Sequence, residues 1–107
     1  MSAKARVFDL SAMGARPYEE RDRNVFYAAD AFKARIIELG PGGEMPLCRM
    51  ESHVVFVIID GEVTVRADGE DFALDQGKCL ITPPAELSMR SDSGVRMMGL
   101  QIQGQPA

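Results

Sequence analysis

The sequence predicts a single all-β domain, a sandwich or barrel of short antiparallel strands, and three observations carry that reading. Turn signals recur about every eight residues: Asp60-Gly61, Asp68-Gly69, Gln76-Gly77, Pro83-Pro84 and Asp92-Ser93-Gly94, the spacing of strands folded back and forth on one another. The runs between them are short and rich in β-branched and aromatic residues, which fit a pleated surface. One of them, residues 54–59 (VVFVII), is apolar at every position, as in a strand covered on both faces. With 107 residues the chain can bury one core and not two.

Taken in order, residues 4–10 alternate loosely and are expected to form a short edge strand. A loop follows, continuing through the charged cluster EERDRN. Residues 24–29 (NVFYAA) and 33–39 (KARIIEL) are two further strands, and Pro41-Gly42-Gly43 stops the second. Cys48 and Met50 are two apart on one strand and share a face. After residues 54–59 come EVTVR, EDFALD, KCLIT, ELSMRS and VRMMGLQI. Hairpins should join them, since Asp-Gly supplies the positive φ angles that two-residue turns need. The outward residues of the apolar strand, Val55, Val57 and Ile59, lack obvious cover within so small a chain, and a homodimer pairing sheets there is expected.

Twelve Lys and Arg against sixteen Asp and Glu leave a formal charge of −4 with no basic stripe, which excludes nucleic acid as the expected partner. No export signal or membrane-spanning run is read in the sequence, so a cytoplasmic protein without a membrane partner is expected. Its two cysteines, Cys48 and Cys79, are then reduced thiols rather than a staple. The Pro41-Gly42-Gly43 stretch is no phosphate loop, because neither a helix nor a Lys-Ser/Thr pair follows it.

From Gly42 the chain runs five residues to Cys48-x-Met50, three more to Val54 and six more to Gly61. Later, Gly77 is followed after five residues by Pro83-x-Ala85, then by Ser88 and Asp92. This spacing resembles the two motifs of the cupin family across roughly residues 33–102. The resemblance implies a double-stranded β-helix, the jelly-roll cupin barrel. Residues 1–32 would then be N-terminal strands and loop of the same domain, residues 33–102 the barrel, and residues 103–107 a polar tail.

Cupins use these motifs to hold iron, manganese, nickel, copper or zinc with three imidazoles and a carboxylate. The resemblance puts Cys48, Met50, Val54 and Ser88 at those four positions. A thioether, an isopropyl group and a hydroxyl do not replace nitrogen and carboxylate ligands for such ions, so no cofactor is expected. Two atypical metal sites remain as alternatives. His53, the single histidine, would reach the interior only through a one-residue bulge, since alternation from Cys48 and Met50 puts it outside. Cys48 with Met50 is a ligand pair suited to Cu(I), although Met and Cys also commonly fill cores.

A third alternative keeps the pocket for an organic ligand without metal. If the second motif keeps its register, Ser88 faces inward with Glu86 and Arg90, and Arg90 would anchor an anionic ligand. If instead Leu87 and Met89 are the buried side, Ser88 and Arg90 lie in water, and the cost of burying a guanidinium favours that arrangement for Arg90. A nucleophilic Cys48 lacks a base, because Arg49 and His53 both alternate outward. The reading put first is therefore a small-molecule-binding barrel in a sensory or accessory role. Its expected pocket is Cys48, Met50, Val54, Phe56 and Ser88, with Arg90 as the conditional sixth member. A cupin-type dioxygenase, isomerase or lyase with an atypical metal set comes second, and a ligand-free dimerisation module third.

Overall fold

The structure, a computed structural model, describes residues 4–103. Residues 104–107, most of the expected tail, lie outside the described residues. A 3-10 helix at Tyr18–Asn24 precedes eight strands: β1 Val25–Ala28, β2 Phe32–Leu39, β3 Glu44–Met50, β4 His53–Ala67, β5 Glu70–Asp75, β6 Cys79–Thr82, β7 Ala85–Arg90 and β8 Val95–Ile102. All pairings are antiparallel, and the backbone path runs β1-β2-β8-β4-β7-β3 with β5 and β6 added along β4. The result is an all-β jelly roll whose two sheets share β4.

That sharing corrects the expected hairpin at Asp60-Gly61. The fifteen residues of β4 pass through this dipeptide without reversing. Gly61 has φ of +87°, and the register against β8 shifts between Ile58 and Asp60, so the strand bulges and bends. Its first half pairs with β8 and β6, its second with β5 and β7. A Cβ at position 61 would overlap the Gly94 carbonyl oxygen, so close backbone approach explains this glycine as much as its φ does.

Gln76-Gly77 is the companion bend on the opposite side. β5 and β6 continue along β4, with Glu62 opposite Asp75 and Val57 opposite Cys79. Between them the Ile58 amide donates to the Lys78 carbonyl at 2.9 Å, and the Gly77 amide to the Ile58 carbonyl at 3.0 Å. Asp68-Gly69, with φ of +48° and +83°, does close a two-residue hairpin, joining Ala67 to Glu70. Pro83-Pro84 and Asp92-Ser93-Gly94 instead carry the chain between sheets, because the strands they join do not pair.

Two N-terminal expectations also change. Residues 4–10 form no strand: Phe8 is drawn onto Phe26 and Tyr27, with centroids 4.8 and 6.2 Å apart, while Val7 is 99% exposed, so the segment buries no continuous face. The segment read as a charged loop is the 3-10 helix, with Glu19 and Glu20 in its first turn and Arg21 and Arg23 in its last, the order a helix dipole favours. Buried Asn24 ends it, accepting from the Arg16 amide at 2.8 Å and donating to the Arg16 carbonyl at 3.0 Å. Strand β1 accordingly begins one residue later than expected. Arg96 then ties this segment to the barrel, donating to the Leu10 and Met13 carbonyls and to Glu38 Oε2 at 2.7 Å.

The core follows strand alternation. Val54, Phe56 and Ile58 from β4, Val63 and Val65 beyond the bend, Leu87 and Met89 from β7, and Val95 and Met97 from β8 meet inside. Burial of such side chains contributes about 1.5–3 kcal/mol each. Val55, Val57 and Ile59 alternate outward and remain half-buried.

Glu62 closes the barrel end beside Gly61. Its carboxylate accepts from the Asp92 amide at 2.8 Å, the Ser93 amide at 2.9 Å and the Ser93 hydroxyl at 3.1 Å. The Ser91 hydroxyl donates to the Glu62 carbonyl at 2.6 Å. These bonds, the Ser93 amide foremost, hold the Glu62 pKa below its ordinary 4.5 against an opposing effect of desolvation. A lowered folded-state pKa stabilises above the unfolded value, and that contribution is lost as pH falls through the folded one. The melting-temperature gap between wild type and Glu62→Gln is therefore constant from neutral pH to about 5 and narrows on further acidification. A gap independent of pH down to about 3 would contradict a stabilising role for the charge.

Candidate ligand pocket

Residues of five strands form a small cavity in the barrel. Cys48 and Met50 come from β3, where they stand opposite Leu87 and Ala85 of β7. Val54 and Phe56 come from β4, and the register sets them beside Gln101 and Gly99 of β8. On the other side of Gly99 lies Arg35 of β2. Together these strands enclose about 80 Å³ of largely apolar space, with Tyr18 and Arg21 of the 3-10 helix completing the lining. A second space of about 50 Å³ adjoins it and shares Tyr18, Arg21, Arg35, Ile37 and Met45. Gly99 leaves little room there, because a Cβ would sit 3.1 Å from Ile37 Cδ1 and 3.4 Å from Phe56 Cε1.

Four expected pocket residues, Cys48, Met50, Val54 and Phe56, thus share one cavity. Ser88 and Arg90 do not join them. Ala85, Leu87 and Met89 are the buried side of β7, so Ser88 and Arg90 lie on its outer face. There they line an open groove of about 440 Å³ with Thr64, Arg66 and Glu44. Leu87, one residue before Ser88, supplies the inward side chain opposite Cys48. The motif spacing therefore holds at Gly77 and Pro83 and slips by one across β7. Hydrocarbon enters the core more cheaply than hydroxyl or guanidinium. Glu86 is exposed and is no ion-pair partner of Arg90 among the described residues.

The cavity presents a thiol, a thioether and two hydrocarbon side chains from Cys48, Met50, Val54 and Leu87. This set does not fit the divalent ions held by imidazole and carboxylate. Among the described residues no three His, Cys, Asp or Glu side chains cluster as a metal site. His53 opens β4 exposed, on the face opposite Val54. The soft pair is real as geometry, with Cys48 Sγ 4.0 Å from Met50 Sδ. Both cysteines are unbridged, and Cys79 is exposed. Arg49 beside Cys48 is exposed and pairs with Glu51 at 3.5 Å, so it does not serve the Cys48 thiol.

Sequence reasoning missed Arg35, Tyr18, Arg21 and Gln101, and left Leu87 as one of two alternatives for the buried side of β7. Arg35 was partly legible: it alternates with Ile37 and Leu39, which pack against the core. However, Ala34 and Ile36 on the opposite face are buried as well, so β2 alone does not say which face is the barrel interior. Tyr18 and Arg21 reach the cavity only through the long-range placement of the 3-10 helix, which leaves no local signal.

No family model matches this sequence, and no curated protein is significantly similar to it. Solved structures do match its fold. A cupin superfamily protein from Desulfitobacterium hafniense superposes with a TM-score of 0.74 at 12% identity, covering 97% of this chain and 95% of that one. The cupin domain of Schizosaccharomyces pombe Cnp3 gives 0.65 at 20% identity over 74% of this chain. An RmlC-like cupin from Shewanella frigidimarina gives 0.65 at 19%, over 71% of this chain and 69% of that one. The matched region spans 61% of the Cnp3 domain's length. The protein is a small all-β barrel domain, and its fold is the cupin fold. Among the described residues, no helix is long and apolar enough to cross a membrane.

Proposed function

We propose that this protein binds a small organic molecule inside the barrel, in a sensory or accessory role. The observation that supports this is the cavity of about 80 Å³ bounded by Cys48, Met50, Val54 and Phe56, at the place where the sequence resemblance puts a metal in other cupins. Space with an apolar wall and a few polar groups at its edge is the usual form of a small-molecule site. A five-carbon alcohol such as 3-methylbutanol, added at millimolar concentration, is expected to shift the methyl resonances of Val54 and Leu87 and to raise the melting temperature. Unmoved methyl signals up to the solubility limit would sink the proposal and favour a filled barrel acting as a dimerisation module.

A second reading is supported by the Cys48–Met50 sulfur pair: an enzyme of cupin type with a soft or otherwise atypical metal. Elemental analysis of protein purified without a histidine tag decides it, because a stoichiometric transition metal would displace the metal-free reading. We also propose that the protein is a cytoplasmic homodimer. The half-buried face of Val55, Val57 and Ile59 continues into Ile81, which pairs with Val55 and is 68% exposed, and such patches commonly mark interfaces. Light scattering is expected to give twice the chain mass of 11.7 kDa; the monomer mass would refute it.

A further inference from the structure

Arg35 is the unusual side chain of the cavity. It is half-buried, on the face of β2 that carries the core-packed Ile37 and Leu39, and it lines both adjoining spaces. Among the described residues no carboxylate lies within ion-pair distance of it and no hydrogen-bond acceptor satisfies its side chain. Its nitrogens keep contact with solvent, since no buried side-chain nitrogen among the described residues lacks a partner, so the charge is open to an anion that enters the space. Every other arginine of β2 and β8 is accounted for differently: Arg96, the other one, is held by Glu38 and two carbonyls.

Arg21 lines the same spaces. Its guanidinium lies over the Tyr18 ring, 4.2 Å from the centroid, and donates to the Tyr18 carbonyl at 3.1 Å. That stacking restrains the side chain while leaving donors for another acceptor, and Arg21 has no carboxylate partner among the described residues either. Gln101 adds an amide to the lining. The lining thus combines apolar side chains, Met50, Val54, Phe56 and Leu87, with two arginines that have no carboxylate partner among the described residues.

We propose that the barrel ligand is a short, apolar monocarboxylic acid, its carboxylate held by Arg35 and Arg21 and its hydrocarbon part lying against Val54, Phe56 and Leu87. This rests on the barrel-binding reading above and specifies the class of molecule. Size supports the class: about 80 Å³ is well below the roughly 150 Å³ that accommodates benzene in an engineered cavity, so a chain of four or five carbons fits better than a larger ring system. Charge supports it too, since a guanidinium fork matches a carboxylate with two parallel hydrogen bonds.

The test compares 3-methylbutanoate with 3-methylbutanol, which share a carbon skeleton and differ in the anionic head. Both are titrated by methyl chemical shift at Val54 and Leu87. The acid is expected to bind the wild-type protein at least about tenfold more tightly than the alcohol, the usual gain from a charge-assisted pair. Arg35→Met is expected to erase that preference while leaving alcohol binding in place. Arg21→Gln, an exposed position whose replacement spares the core, is expected to reduce it in part. If acid and alcohol bind the wild type equally, the carboxylate assignment is overturned while barrel binding stands. Failure of both to move the two methyl groups overturns barrel binding itself, and this inference with it.

Discussion

Gly61→Ala is expected to lower the unfolding free energy by on the order of 3 kcal/mol, or to prevent recovery of soluble protein. Two costs combine. A residue with a side chain held at φ of +87° carries about 1–2 kcal/mol of backbone strain, and the added methyl overlaps the Gly94 carbonyl, which adds roughly 1–3 kcal/mol of overpacking. Gly69→Ala separates the two terms. Its φ is similar at +83°, but a Cβ there meets nothing within 4 Å, so a loss of only about 1 kcal/mol is expected. Urea unfolding of both variants measures the difference. Equal losses would mean that the close passage of β4 beneath the Gly94 turn is not a constraint on the fold.

The second large effect is at Leu87. Leu87→Ala should cost about 3 kcal/mol, because the side chain is fully buried and its removal leaves a hole in the core. Ser88→Ala should change stability by less than about 0.5 kcal/mol, as an outer-face position touching an open groove. The pair of variants reads the register of β7 directly. Should Ser88→Ala prove the costly one, β7 would have the register of the second cupin motif, and Ser88 would return to the pocket. The same truncation of Leu87 enlarges the cavity beside Cys48, so a surviving Leu87→Ala protein is also expected to accept a longer hydrocarbon than wild type does.

These positions show how far the residues alone carried the reading. The turn at Asp68-Gly69 was legible because its backbone requirement is local: both residues adopt positive φ and the flanking residues pair at once. The identical dipeptide signal at Asp60-Gly61 misled, since a glycine with positive φ serves a bulge within a strand as well as a hairpin. Only the partners β8, β6, β5 and β7, all drawn from distant sequence, decide between them. Ser88 illustrates the limit of a spacing argument. A one-residue slip reverses every side chain on a strand, and the choice at β7 is made by whether Leu87 or Ser88 enters a core already lined by Val54, Val65 and Met97.

By itself, then, the sequence determined the all-β class, the approximate strands from residue 24 onward, the common face of Cys48 and Met50, and the donor types, thiol, thioether and hydrocarbon, that Cys48, Met50 and Val54 offer. Alternation and donor chemistry depend on residue identity and near neighbours, which is why they could be read directly. Tertiary structure alone decided that β4 runs unbroken between two sheets, that Leu87 rather than Ser88 faces the cavity, and that Arg35 lines it together with Tyr18 and Arg21. Each of those depends on which distant segments pack together, and the free energy of excluding water and satisfying charge at such contacts belongs to the assembled barrel rather than to any stretch of chain.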